Sequence, residues 1–474
     1  GENTGASTAD VAYMRRFTAT LILATLSAYL LVGLGAVTAA TELRPIAAGH
    51  YGAAGVVWLL VSIVAIRSWT DDHSRRVRFG STLAFVAFPG QALLGAIVTF
   101  DAAPLGGQTH LLGGLFVFGT LLLTLVWHLD GEIVPENISR STPDPAPEND
   151  APTGAADATP PATASDGPTD TRPSADSSPR SNVSWVRGRI GAYVALTKPR
   201  LMWLLCLLAL AGMALSTITG AVLDGVTVVA TLAGGTLAIG AAGTFNHVYE
   251  RDRDREMERT SDRPLVSETV DPIRALGFGA ALFVASMAVL LALVNPLTAA
   301  LTAFAAVYYA IIYTVVLKPS TTWNTVIGGG AGALPAVIGW AAITGSVGLP
   351  ALLLAAVVFC WTPAHFYNLA IACREQYDAA GYPMLPVERG VAVTRRRILY
   401  WLGATLLVAG GLGVAAEFSP VYVVVSAVAG LGFVWTVAEQ YRRDTERAAY
   451  RSFYASNAYL GALLVAILVE TTVF

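Results

Sequence analysis

Charge is what this chain most lacks. Only 13% of its 474 residues are Asp, Glu, Lys or Arg, while 54% are hydrophobic. Soluble globular chains carry roughly 25% charge, and the shortage argues against a soluble enzyme. Cysteine is scarce too. Cys206, Cys360 and Cys373 sit in or beside apolar blocks, and their spacing fits neither a zinc site nor a disulfide framework. They read as small buried hydrophobes. Positive charge is not in excess, since the net charge is −3. That excludes the basic field that nucleic-acid binding requires. Lysine is nearly missing: Lys198 and Lys318 are the only two, and arginine supplies the other positive charges. The two cations differ chemically at demanding sites, which makes both lysines worth following.

What the chain does have is hydrophobic blocks of about twenty residues, the length that crosses a bilayer as helix. Four come first, near 17–40, 52–66, 79–100 and 109–128. The first, Phe17 to Ala40, is too long for a signal-peptide core and lacks a clear cleavage site, so it reads as a retained span. From Asp130 onward the composition changes to Pro, Ala, Ser, Thr and Asp without apolar periodicity. Such a stretch cannot bury enough surface to offset chain entropy and reads as a disordered acidic linker. Nine more spans follow, near 200–219, 224–247, 273–293, 297–317, 323–344, 350–373, 397–415, 420–438 and 454–474. The expected fold is an all-α integral membrane protein of about thirteen transmembrane helices. A four-helix domain (1–129), a linker (130–185) and a nine-helix domain (186–474) divide it.

Arginine sets the orientation. Arg67 to Arg78, Arg187 to Arg200, Arg251 to Arg263, Lys318, Arg389 to Arg397 and Arg442 to Arg451 all fall on one side of the alternating spans. Arg44 is the main exception. The positive-inside rule makes the arginine side cytoplasmic. The chain is thus expected to be multi-pass in the cell (plasma) membrane, with the linker and both charged motifs described next on the cytoplasmic side.

The first charged motif closes span six. Asn246, Glu250 and Asp254 stand at i, i+4 and i+8 and share one helical face. Asp252 lies between them. Oxygen ligands of this kind suit Mg²⁺, which keeps some waters and is readily shared with phosphates. Arg259 and Arg263 follow, and arginine matches phosphate oxygens in bidentate fashion. Acids and arginines together suggest a magnesium–diphosphate grip. The plain alternative is a solvated, salt-bridged loop.

The second motif closes span ten. His365, Asn368 and Arg374 precede Glu375 and Asp378, which are i, i+3 and share a face. Polar groups within a span are costly and usually face a cavity. Two acidic patches at cytoplasmic span ends fit a two-metal clamp. Lys318, between them in sequence, is a third candidate contact to phosphate.

These residues resemble the UbiA-type intramembrane prenyltransferase superfamily and, within it, the protoheme IX farnesyltransferase (heme O synthase) family. The segments that carry the likeness run over about residues 190–474: Leu196 to Arg200, Asn246 to Asp254, Met257 to Leu265, Tyr313 to Lys318, Asn324 to Gly329, Trp361 to Phe366 and Gly381 to Pro386. The resemblance implies a nine-helix bundle whose central cavity holds an isoprenyl diphosphate through Mg²⁺. It implies farnesyl transfer from farnesyl diphosphate to a vinyl group of heme b, with water added, giving heme O. By residue, it implies metal and catalytic roles for Asn246, Glu250, Asp254 and Glu375, with Asp252 and Asp378 as further metal ligands. Arg259, Arg263, Lys318 and Arg374 become diphosphate contacts. Glu250 stands where the family usually has Asp, His247 where many superfamily members have a second acid, and Gln376 where Asp is frequent. These departures leave the number of metal ions open. Lys198 reads as a cap on the first helix of the domain.

The first four spans carry His50 and His110 at the outer starts of spans two and four. With the segments around Gln91 and His110, they resemble one half of a heme A synthase. That resemblance implies His50 and His110 as candidate axial ligands of a bound heme and a heme A synthase as a candidate partner. His73 and His128 read as boundary residues. Two rival functions fit parts of the pattern: the same bundle acting on a quinone or lipid acceptor, and a multi-span transporter or heme-handling module. No internal repeat supports transport, and the acids lie at span edges instead of the midplane.

Overall fold

The computed structural model describes residues 8–40, 44–71, 73–99, 106–131, 182–443 and 445–473. Helices make up its secondary structure, and no strand occurs among the described residues. In chain order they are α1 (Thr8–Ala40), α2 (Arg44–Thr70), α3 (Arg75–Thr99), α4 (Gly106–Gly131), α5 (Asn182–Leu196), α6 (Pro199–Leu215), α7 (Gly225–Arg255), α8 (Pro272–Leu293), α9 (Pro296–Val307), α10 (Asn324–Thr344), α11 (Leu349–Ala372), α12 (Arg374–Ala379), α13 (Leu385–Glu388), α14 (Gly390–Ala415), α15 (Pro420–Arg442) and α16 (Glu446–Val473). Thirteen helices among the described residues are long and apolar enough to cross a membrane. Each matches one of the hydrophobic blocks. Most of the stretch read as linker lies outside the described residues. Its described ends are helical, because α4 runs on to Gly131 and α5 starts at Asn182.

Several spans begin the same way. Asp271, Asn295 and Ser419 precede Pro272, Pro296 and Pro420, and each side chain accepts a backbone N–H of the first turn. The side chain satisfies an amide that the helix leaves open, and proline there loses nothing by lacking its own. The start of α15 has a second cap. The Glu470 carboxylate of α16 accepts the amides of Ser419 (2.8 Å) and Tyr422 (3.1 Å), so the last helix is tied to the turn before α15.

Outward faces carry large apolar side chains such as Val226, Val284, Val428 and Trp435. On a helix apolar all round, that is the pattern of a lipid-facing surface. Inside, α6 and α10 meet backbone to backbone. A Cβ on Gly212 would stand 2.2 Å from the Ala336 carbonyl oxygen, and one on Gly339 would stand 2.0 Å from that of Ala209. Only glycine permits this approach.

The first four spans do not stand apart from the other nine. Phe17, Leu21, Phe118 and Leu121 share one apolar core with Leu402, Leu406, Phe433 and Tyr459. Tyr29 also donates a hydrogen bond to the Ser426 carbonyl across this junction (3.2 Å).

One irregularity positions the site. After α9 the backbone loosens into a π-helix over Tyr308–Leu317. The Lys318 amide reaches back to the Tyr313 carbonyl five residues earlier (2.8 Å). Such widened turns recur at functional sites, because they re-aim side chains.

Candidate active site

The face of α7 that carries Asn246, Glu250 and Asp254 is buried. Each of the three polar groups meets a cation. Lys318 donates to Glu250 Oε1 (2.5 Å) and Arg263 to Asp254 Oδ2 (2.5 Å). Lys198 donates to Asn246 Oδ1. The amide of Asn246 donates in turn to Thr314 Oγ1 in the π-helix (3.0 Å). The i, i+4, i+8 spacing therefore does what it predicts: it aligns three oxygen-bearing side chains along one line.

Lys198 does more than cap α6. It occupies the N-cap position, but its side chain makes no cap hydrogen bond. Its ammonium instead bonds Asn246 and the Tyr309 hydroxyl (3.1 Å). Its backbone sits in the left-handed region at φ 56°, which costs a non-glycine residue about 1–3 kcal/mol and persists only where surroundings enforce it. The adjacent packing of Leu196 with Leu265 and Val270 anchors that turn. Both lysines of the chain thus arrive at one cluster from elements 120 residues apart.

The electrostatics favour an anion. Two carboxylates face three cations, Lys198, Lys318 and Arg263. Buried charges persist only when paired and hydrogen-bonded. The excess of one positive charge leaves room for a negative ligand. Burial draws the Lys318 ammonium below the usual lysine value, and the Glu250 carboxylate works against that pull. The Tyr382 ring packs beneath it, with Lys318 Nζ 4.5 Å from the ring centroid and the Arg253 guanidinium 5.0 Å from it. These are cation–π distances.

Other expected residues lie elsewhere. Asp252 is a correction: its side chain is 80% exposed and pairs with Arg251 (3.4 Å). Two residues along a helix turn the side chain to the opposite flank, so Asp252 does not share the buried face of Glu250 and Asp254. Glu375 and Asp378 do share a face of α12, but that face is exposed, and so is Arg374. Among the described residues, no hydrogen bond or ion pair joins these three to the α7 cluster. The buried residue of α12 is Tyr377, which packs with Met257, Tyr382 and Met384. The two charged segments are thus neighbours through apolar packing, and the acids of the second point away. The side chain of Arg259 lies outside the described residues.

His365 and Asn368 are also differently placed. His365 stacks between Trp361 (4.3 Å) and Phe453 (4.4 Å) and shares a hydrogen bond with Ser456 (2.7 Å). Asn368 accepts from Gln440 (2.5 Å). Both tie α11 to α15 and α16, so their polarity is consumed between helices.

Magnesium fits the α7 donor set. No group of three His, Cys, Asp or Glu that could hold a metal alone occurs among the described residues. Mg²⁺ commonly takes one or two carboxylates and completes its shell with water and substrate phosphates. Glu250, Asp254 and the Asn246 amide oxygen offer that kind of partial site.

The four-helix bundle holds a second polar cluster. The rings of His50 and His110, from α2 and α4, have centroids 6.3 Å apart. Gln91 of α3 donates to His110 Nδ1 (2.9 Å) and to its carbonyl (2.5 Å). Gly35 and Gly95 lie close to the two imidazoles, and a Cβ on Gly95 would come within 2.6 Å of His110 Cε1. His50 Nδ1 and Gln91 Oε1 are buried without a partner.

Comparison with known proteins places this geometry in context. A model described as the UbiA prenyltransferase family matches residues 201–460. A protein named protoheme IX farnesyltransferase 2, from Natronomonas pharaonis, is 60% identical over 97% of this chain and 100% of its own length. A protein named protoheme IX farnesyltransferase 1, from Saccharopolyspora erythraea, is 43% identical; the match covers 60% of this chain and 92% of the relative. Among solved structures, a digeranylgeranylglyceryl phosphate synthase is similar with a TM-score of 0.52 at 14% identity, over 60% of this chain and all of that one. That likeness concerns the fold alone.

Proposed function

The chain belongs to the UbiA prenyltransferase family, and from that premise we propose how its residues carry out prenyl transfer to a heme. It is a multi-pass membrane prenyltransferase. Its reaction is the transfer of a farnesyl group from farnesyl diphosphate to a vinyl group of protoheme IX (heme b), giving heme O and diphosphate. The near full-length likeness to relatives named protoheme IX farnesyltransferase supports heme, over a quinone or a lipid, as acceptor.

The observation that carries the mechanism is the α7 cluster. Lys198, Lys318 and Arg263 form the diphosphate-binding set, each held ready by an oxygen of Asn246, Glu250 or Asp254. The allylic C–O bond breaks with its electron pair going to the diphosphate. The cations neutralise that charge where it develops, the largest single contribution an enzyme can make. Mg²⁺, when bound through Glu250, Asp254 and Asn246, supplies further neutralisation of the leaving group. The terminal vinyl carbon of the heme donates its π pair to the allylic carbon, forming the new C–C bond. The positive charge then rests on the inner vinyl carbon, which takes the oxygen of one water and releases one proton. The apolar walls of the bundle keep bulk water from the allylic cation before that step.

The arginine-bearing connections share one side of the alternating spans, which supports a plasma-membrane enzyme with its charged motifs in the cytoplasm. For the four-helix bundle, the spacing of His50 and His110 favours a bound heme. His50 and His110, with ring centroids 6.3 Å apart, would be the residues that hold such a heme through their imidazole nitrogens. A heme A synthase is the partner suited to consume the product.

The test is mass spectrometry of hemes from membranes expressing the chain, beside Asp254→Asn. A heme heavier by one hydroxyfarnesyl unit, lost in the variant, is expected. Unmodified heme b from a folded preparation supplied with donor and Mg²⁺ would overturn the heme reading.

A further inference from the structure

Among the described residues of α7, His247 is the buried one whose polar atoms have no hydrogen-bond partner. It follows Asn246 directly and is 4% exposed. Both of its ring nitrogens are buried, and neither has a hydrogen-bond partner. Leaving two polar atoms of one side chain unpaired in a low-dielectric interior is unfavourable. A fold that keeps them so either tolerates a defect or awaits a ligand. The surroundings favour the ligand. The charged groups acting on the ring are Lys198, Arg263 and Lys318, the cations just assigned to diphosphate. They already have protein partners of their own and are donors only, so none can satisfy both imidazole nitrogens. A neutral imidazole has one N–H to give and one lone pair to receive.

We propose that His247 is a diphosphate-binding residue whose imidazole N–H donates a hydrogen bond to a diphosphate oxygen of the prenyl donor. This rests on the prenyl-transfer reading and deepens it. A neutral donor among three cations adds geometric selection without adding charge: it is satisfied only by an anion seated deep enough to reach α7. The donor's head group thereby gains a contact that the heme acceptor does not share.

The experiment uses the full chain in detergent, with inorganic diphosphate and Mg²⁺ as the binding probe, followed by farnesyl transfer kinetics. His247→Phe keeps the volume and removes the hydrogen bond. It is expected to weaken diphosphate binding and to raise KM for farnesyl diphosphate, each by roughly tenfold, with KM for heme unchanged. His247→Asn keeps a donor and is expected to recover most of the loss. Unchanged diphosphate affinity in a folded His247→Phe protein would overturn the proposal. So would a lowered melting temperature with normal affinity, since that would make the ring a packing group. If the wild type binds diphosphate in a His247-dependent manner yet modifies no heme, this inference stands and the choice of acceptor fails.

Discussion

The two polar clusters of this molecule are built on opposite plans. At the end of α7 the buried charged groups among the described residues are already partnered: Lys318 with Glu250, Arg263 with Asp254, and Lys198 with Asn246. Between α2 and α4 nothing is charged by necessity, and two buried polar atoms, His50 Nδ1 and Gln91 Oε1, are left open. The difference follows from what desolvation charges for each kind of group. A buried ion without a counter-ion is too costly to hold, while a buried neutral nitrogen costs only a lost hydrogen bond. A site for an anion must therefore be pre-paired and exchange partners as substrate enters. A site for neutral ligation can wait open, provided its rings are braced.

Breaking a pre-paired site should give the largest effect. Lys318→Met strands the Glu250 carboxylate in a buried position, and such removals cost about 3–5 kcal/mol. Thermal unfolding in detergent should register this, and farnesylated heme should be lost. Adding Glu250→Gln removes the stranded charge. The double variant should regain most of the stability without regaining product. Restored product would mean that the pair is structural only. Glu250→Gln alone leaves Lys318 without its counter-charge, but that group can escape by releasing its proton, a course its depressed pKa already favours. Its stability loss should therefore be smaller than that of Lys318→Met, with a rate loss of about 10²–10³.

The histidine cluster should break differently. His50→Ala or His110→Ala removes one of the two proposed heme ligands without stranding a charge. A six-coordinate, two-histidine heme spectrum should disappear from the purified protein. Farnesyl transfer should change by no more than about twofold, as expected for a site that shares no partner with the α7 cluster. A parallel loss of product would show the clusters to be coupled through the shared core. Gly95→Ala sharpens the point. Its Cβ would press on His110 Cε1 at 2.6 Å, so the ring must shift at a cost of about 1–3 kcal/mol, perturbing the spectrum without abolishing it.

The contrast also explains what could be read in advance. The thirteen spans were legible because a bilayer imposes length and composition on each one separately. The Asn246, Glu250 and Asp254 face was legible because helical periodicity is local. Lys198 was legible only as a cap. Its real partners, Asn246 and Tyr309, are distant in sequence, and its approach depends on a left-handed turn. The contribution of Thr314 was hidden for a similar reason, because the π-helix shifts the register that ordinary periodicity assumes. Glu375 and Asp378 share a face as their spacing requires, but spacing does not say which face Tyr377 will bury. His365 and Asn368 suggested a cavity because their partners, Ser456 and Gln440, lie more than seventy residues on. In each miss the local geometry was right and the tertiary neighbour was not inferable.

The smallest expected effect tests the same argument most finely. Asp252 and Asp254 are two residues apart, of identical chemistry, on one helix. The first is exposed beside Arg251, and the second is buried against Arg263. An exposed pair of this kind is worth about 0–1 kcal/mol, and surface substitutions usually stay within about 0.5 kcal/mol. Asp252→Asn should therefore leave melting temperature, diphosphate affinity and turnover nearly unchanged, while Asp254→Asn abolishes product. If both variants lose activity equally, α7 must rotate or unwind at its end when substrate binds, bringing its outer flank into the site. If neither does, the carboxylates serve folding, and the cations alone hold the diphosphate.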